Sequence, residues 1–532
     1  MKNIYEIAKK INIPNEAVIP YGLDKAKIDL SLIKRNDKQG KLILVTAITP
    51  TKAGEGKTTT SIALHDGFHK IGVNSLLCLR EPSLGPVFGI KGGATGGGKV
   101  SIIPTEDINL HFTGDMHALT SSINLIAACI DNHIYQGNEL HFDRNRILWK
   151  RALDMNDRAL RSITISEDDP KTEPRHEEFV ITVASELMAI LCLAKDKEDF
   201  HHRINNIILA YSTENKPITL KELRISNAVM KLMDKALLPN LVQTLEENPV
   251  LVHGGPFANI AHGCNSLIAT KFALDVAPVV ITEAGFGADL GAEKFLDIAC
   301  PTGNLHPDCV VMVATIRALK MHGGQPYKEL TIENVEALKK GFVNLKKHMD
   351  DISKFDVPVV VCINHFAQDT KQETEALIDL CKQNNFEYAF CDGFARGGEG
   401  STELATLVKK TLENKKSNYH KLYDYNLPIK DKIETICRKI YGAKRVIYSE
   451  DAEKQIEEYK ELGFDKTPIC MAKTPQSLTD NPKILGAPTD FDITIREVRL
   501  SAGANFLVAL TGKVMTMPGL PKVPAAVLME DK

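Results

Sequence analysis

Short apolar runs alternate along the chain with stretches whose apolar positions return at helical spacing. The runs at 42–48, 75–79, 250–253, 278–282, 309–316, 357–363 and 386–391 predict buried strands, and strands alternating with helices predict a parallel α/β sheet. Between about 125 and 245 the pattern changes. Trp149–Leu153, Val180–Ala194 and Phe200–Ala210 read as amphipathic helices with charged faces, and residues 167–176 read as a polar, proline-bearing loop. This organisation, with the glycine loop at Thr51–Thr58 described next, predicts a P-loop NTPase-like parallel sheet domain in two parts, 1–125 and 246–348, split by a mainly helical insertion at 126–245. A second α/β domain follows at 349–532, with 413–432 as a charged connector.

One junction carries specific chemistry. The strand-like run Lys41–Ile48 feeds into Thr49-Pro50-Thr51-Lys52-Ala53-Gly54-Glu55-Gly56-Lys57-Thr58-Thr59, and a helical pattern continues through Ile62, Leu64, Phe68 and Ile71. Strand, glycine loop, Lys-Thr and helix turn backbone N–H groups and a helix N-terminus toward a polyphosphate. Lys57 would bridge the outer phosphates and Thr58 would hold Mg²⁺. Thr51 stands where the usual spacing has another glycine, so Gly54 must supply the bend.

Charge narrows the partners. With 65 basic against 68 acidic residues, net −3, nothing points to nucleic acid or an anionic membrane, and no apolar run approaches a membrane span. The eleven cysteines are scattered, none closer than Cys300 and Cys309. That excludes Cys-x-x-Cys metal or redox motifs and suits a reducing cytoplasm. His65 and His69 share a helix face without a further ligand.

Other candidates cluster at strand ends. Arg80 ends the run 75–79, where it either offers a planar fork to phosphate oxygens or forms a surface salt bridge with Glu81. Gly89–Gly98 holds six glycines in ten residues, a density that suits close approach of backbone to a ligand. Glu283 and Asp289, in the glycine loop after 278–282, are either Mg²⁺ carboxylates or turn caps. Phe366 and Phe394 follow the runs 357–363 and 386–391. In polar, glycine-rich loops, the two rings are either core or the walls of a slot for a flat heterocycle.

Together these residues resemble formate–tetrahydrofolate ligase, also called formyltetrahydrofolate synthetase, from Ile28 to Leu528. One family signature matches Gly89–Gly98 and another Val313–Gly324. Pro239–Glu246, His253–Ser266 and Thr511–Pro521 look like the same family. The resemblance implies ATP-dependent joining of formate to tetrahydrofolate through formyl phosphate. It puts the nucleotide loop on Thr51, Lys52, Ala53, Gly54, Glu55, Gly56, Lys57 and Thr58, the formyl phosphate arginine on Arg80, and the pterin-stacking rings on Phe366 and Phe394. Phe394 replaces a tryptophan of the family, Thr95 an alanine and Lys99 an aromatic. A homotetramer and a monovalent-cation activator are further implications. The rival from another class is a nucleotide-switched regulatory P-loop ATPase, which shares the strand–loop–Lys-Thr start and to which Lys52 could lend the early loop lysine. It explains neither the second α/β unit nor the absence of a cluster-binding cysteine pair.

Overall fold

The computed structural model describes residues 1–34, 39–89, 95–167, 173–258, 261–512 and 515–529. Its centre is a twelve-stranded sheet whose main path runs Val18–Pro20, Ala26–Ile28, Asn240–Thr244, Pro249–Val252, Ser75–Leu79, Val279–Glu283, Lys41–Ala47, Pro307–Ala314, Val359–Asn364 and Tyr388–Cys391. From Pro249–Val252 to Tyr388–Cys391 every neighbouring pair is parallel. The carboxyl ends of seven strands therefore share one edge, where open α/β sheets bind ligands.

Alternate side chains of each strand enter different cores. Ile43, Val45, Leu77, Ile281, Val311 and Val313 pack with Ile62, Leu64 and Phe68 of the helix Lys57–Lys70. Leu42, Leu44, Leu76, Val280, Val310 and Met312 belong to the larger core on the other face, with Leu338, Phe342 and Leu345 of the helix Val335–Ser353. Burial on both faces is why these strands read as apolar runs without alternation.

Two expectations are revised. The segment 126–245 is not mainly helical: it holds the short strands Phe142–Ile147, Ala152–Leu153, Ile163–Ile165, Arg175–Glu177, Val180–Ile181, Ile208–Ser212 and Pro217–Thr219 beside its helices. Trp149–Leu153 is extended, because Asn124 takes both backbone groups of Ala152, at 2.9 and 3.1 Å, and the Trp149 N–H donates to the Leu209 carbonyl. Likewise the helical patterns at 180–194 and 200–210 give the helices Glu186–Leu193 and Lys197–Asn205 flanked by strand. The strands Val359–Asn364 and Tyr388–Cys391, assigned from sequence to a separate C-terminal domain, extend the central sheet. A smaller sheet of Ile469–Ala472, Phe506–Leu510 and Glu497–Ser501 forms beyond them.

Candidate active site at the carboxyl edge of the sheet

The edge begins at Thr49, fixed before the loop starts. Its N–H donates to His348 Nε2 at 3.0 Å, and Asn344 donates to its hydroxyl at 3.1 Å. Burial lowers the His348 pKa to about 3, so the ring is a neutral acceptor. The loop then bends through Gly54 and Gly56, at φ 79° and 73°, a region that favours glycine. At Gly56 a Cβ would also stand 2.6 Å from Asn364 Nδ2.

Glu55 braces this loop from inside. Its side chain is buried and accepts from the Thr51 N–H at 2.6 Å and from the Thr315 hydroxyl. Asn364 donates to the Glu55 carbonyl at 3.0 Å, and Arg317 donates to the Gly54 carbonyl. Lys52 and Ala53 lie exposed at the tip. Glu55 belongs to the candidate loop, whereas Thr315, Arg317 and Asn364 carry no individual signal in the sequence. Their only sequence signal was position: two lie in the Val313–Gly324 stretch and one opens the loop before Phe366.

Gly56 caps the helix Lys57–Lys70 in a left-handed conformation, which starts the helix at Lys57. The Thr58 hydroxyl donates to Glu283 Oε2 at 2.9 Å, and Arg80 approaches Glu283 Oε1 at 3.7 Å. Glu283 thus links the end of one strand to the helix start and to the end of the strand Ser75–Leu79. Lys57 joins them electrostatically: burial lowers its pKa to about 8, and the charge of Glu283 opposes that shift.

Arg80 has a second partner in the Pro256 carbonyl at 3.3 Å, and Gly285 leaves room for it, since a Cβ there would sit 3.0 Å from the guanidinium. Its carboxylate partner is Glu283, not Glu81. Glu81 is buried with Asp115, and burial first, then the Asp115 charge, raises its pKa well above the carboxylate range. Asp115 in turn lies 2.7 Å from the buried Lys27 ammonium.

Asp289 is buried and ion-paired with Lys473 at 2.8 Å, and although burial pushes its pKa up, the Lys473 charge holds it below the usual value. Phe366 is half-buried with the Arg317 guanidinium 4.0 Å above its ring. Phe394 is 56% exposed, its carbonyl accepts from the Lys99 N–H at 2.9 Å, and its ring lies against Gly97 and Gly98. These contacts tie Gly97–Lys99 to the turn that bears Phe394; residues 90–94 of the glycine-rich candidate lie outside the described residues.

Oxygen donors, an ammonium and a guanidinium therefore converge on Glu283 at the sheet edge, and the Phe366 and Phe394 rings stand on segments that follow other strands of the same edge, a set suited to phosphate chemistry with a flat organic group along it. Among the described residues no cluster of three or more His, Cys, Asp or Glu could hold a metal, and no helix is long and apolar enough to cross a membrane. A family model described as formate–tetrahydrofolate ligase matches residues 1–531.

Proposed function

We propose, for a chain that belongs to the formate–tetrahydrofolate ligase family, how this edge divides the work. The protein is an ATP-dependent ligase whose substrates are ATP, formate and tetrahydrofolate. The whole-chain match does not favour a nucleotide-switched regulatory ATPase.

In our reading the loop Thr51–Thr58 is a P-loop-like cradle for the ATP phosphates. A formate oxygen attacks the γ-phosphorus, the bond to ADP breaks, and formyl phosphate forms. Lys57 and the loop N–H groups neutralise charge spreading over the phosphoryl oxygens. Arg80, held between Glu283 and the Pro256 carbonyl, presents a two-donor fork to formyl phosphate. The folate amine then attacks the formyl carbon, the carbon–oxygen bond to phosphate breaks, and the departing phosphate can accept the amine proton. We assign no side chain as general base.

Thr58 and Glu283 fit Mg²⁺: both are hard oxygen donors, their oxygens 2.9 Å apart, and Mg²⁺ completes such a pair with phosphate oxygens and water. Bound there it would neutralise charge on the outer phosphates. Asp289, engaged with Lys473, acts in this reading through its field and not as a ligand. Phe366 and Phe394 are assigned as the pterin walls.

The convergence of Thr58 and Arg80 on Glu283 carries this reading, because it puts the loop and the acyl phosphate arginine at one carboxylate. Formation of formyltetrahydrofolate is measured with ATP, formate and tetrahydrofolate omitted in turn. All three are expected to be required, and ATP turnover independent of formate and folate would return the switch reading.

We also propose a homotetramer, checked by light scattering, and activation by a monovalent cation, checked by exchanging potassium for tetramethylammonium. A cytoplasmic location agrees with eleven cysteines, nearly all of them buried. For domain division, sheet membership favours a last boundary after Asn414, where the helix Thr402–Asn414 ends, over one at 349.

A further inference from the structure

Arg317 stands on the first turn of the helix Ile316–His322, capped by Thr315, whose hydroxyl accepts from the Ala318 N–H at 3.2 Å. That helix is a rigid mount. Gly323 and Gly341 let it lie against the helix Val335–Ser353 so closely that a Cβ on either would overlap a backbone carbonyl. From this mount the guanidinium reaches two loops. On one side it donates to the Gly54 carbonyl and lies 3.9 Å from Glu55 Oε2. On the other its Cζ lies over the Phe366 ring, 4.0 Å from the ring centre. The Phe366 loop is itself pinned, with the Phe366 N–H donating to Asp369 at 2.8 Å. Asn364, two residues earlier, also holds the Glu55 carbonyl.

We propose that Arg317 is a positioning residue that couples the nucleotide loop to the folate wall, so that a nucleotide bound at Thr51–Thr58 tightens tetrahydrofolate binding at Phe366. This rests on the assignment of those two sites. Gly54 and Gly56 give the loop backbone freedom, and phosphates on its N–H groups remove that freedom. A fixed Gly54 carbonyl and Glu55 carboxylate fix the guanidinium, and a fixed guanidinium holds the ring flat for a second flat partner on its open face. Part of the ordering cost of folate binding is then met by the nucleotide. The coupling is reciprocal by linkage. Only a planar cation can hydrogen-bond one loop while stacking on the other.

The test measures tetrahydrofolate affinity with and without a saturating, non-hydrolysable ATP analogue and Mg²⁺, in the parent, Arg317→Met, Arg317→Lys and Phe366→Ala. The parent is expected to bind folate about five-fold or more tighter with the analogue. Arg317→Met should bring the ratio of the two folate affinities, with and without the analogue, to about one, whatever its effect on either ligand alone. Arg317→Lys, which keeps the charge and guards against misfolding, should lose most of the enhancement too. Full enhancement in either Arg317 variant, or none in the parent, overturns the coupling. If Phe366→Ala binds folate as the parent does, or the loop variant Lys57→Ala binds the analogue as the parent does, the site assignment fails and takes the coupling with it.

Discussion

Lys57 sits where burial and a nearby carboxylate pull its charge in opposite directions, and burial prevails, leaving a pKa of about 8. Below that pH the ammonium is charged and can meet phosphate; above it the charge is lost. ATP capture, measured as kcat/KM for ATP, is therefore expected to fall as pH rises through about 8. A profile flat up to the ordinary lysine range near ~10.4 would sink the assignment. Lys57→Ala should lower turnover by about 10²–10³ without unfolding the protein, by analogy with removing one preorganised donor. Arg80 poses a different problem, geometry more than charge. Arg80→Lys keeps a cation beside Glu283 but loses the planar fork. ATP binding should persist while formate-dependent phosphoryl transfer fails, and a lysine variant that makes formyl phosphate at the parent rate would dismiss the role.

At the scale of elements, the site depends on how closely two helices approach. Gly341 lies where a Cβ would overlap the Leu319 carbonyl, so Gly341→Ala must push the helix Ile316–His322 outward with Thr315 and Arg317 on it. The expected result is a loss of about 1–3 kcal/mol in stability and a raised KM for ATP, read by urea unfolding and initial rates. Unchanged values for both would mean that the helix does not position the loop. The turn bearing Phe394 gives the contrasting case. Its ring is exposed, so Phe394→Ala should change stability by less than about 0.5 kcal/mol, yet weaken tetrahydrofolate binding several-fold, since a ring contact is worth roughly 0.5–1.5 kcal/mol. ATP binding should stay the same. A loss of stability with folate affinity unchanged would make Phe394 a packing residue.

The whole molecule is tied together by ion pairs taken out of water. Lys473, from the strand edge of the small C-terminal sheet, is fully buried against Asp289 at the edge of the central sheet. Breaking such a pair leaves one charge unpaired and costs about 3–5 kcal/mol, whereas replacing both partners costs far less. Lys473→Ala is therefore expected to lower the unfolding midpoint sharply, and Lys473→Met combined with Asp289→Asn to recover much of the loss. Equal midpoints for Lys473→Ala and the parent would mean that the pair does not hold the two sheets together.

Sequence alone determined the parallel core. Strands such as Leu42–Val45 and Val310–Val313 are buried on both faces, and double burial writes itself into composition as an unbroken apolar run. It also determined the Gly-Lys-Thr loop, since left-handed turns and helix starts depend on neighbours in the chain. It did not determine the character of 126–245, where side chains distant in sequence, such as Asn124 toward Ala152, overrode local helical spacing. Nor did it place Val359–Asn364 and Tyr388–Cys391 in the central sheet, because an apolar strand carries no label for its partner. The links that make the edge a site, Glu283 to Thr58, Arg317 to Gly54 and Phe366, and Glu55 to Thr315, join residues far apart in the chain. Only the packing of the helices and strands that carry them brings those atoms within hydrogen-bonding reach.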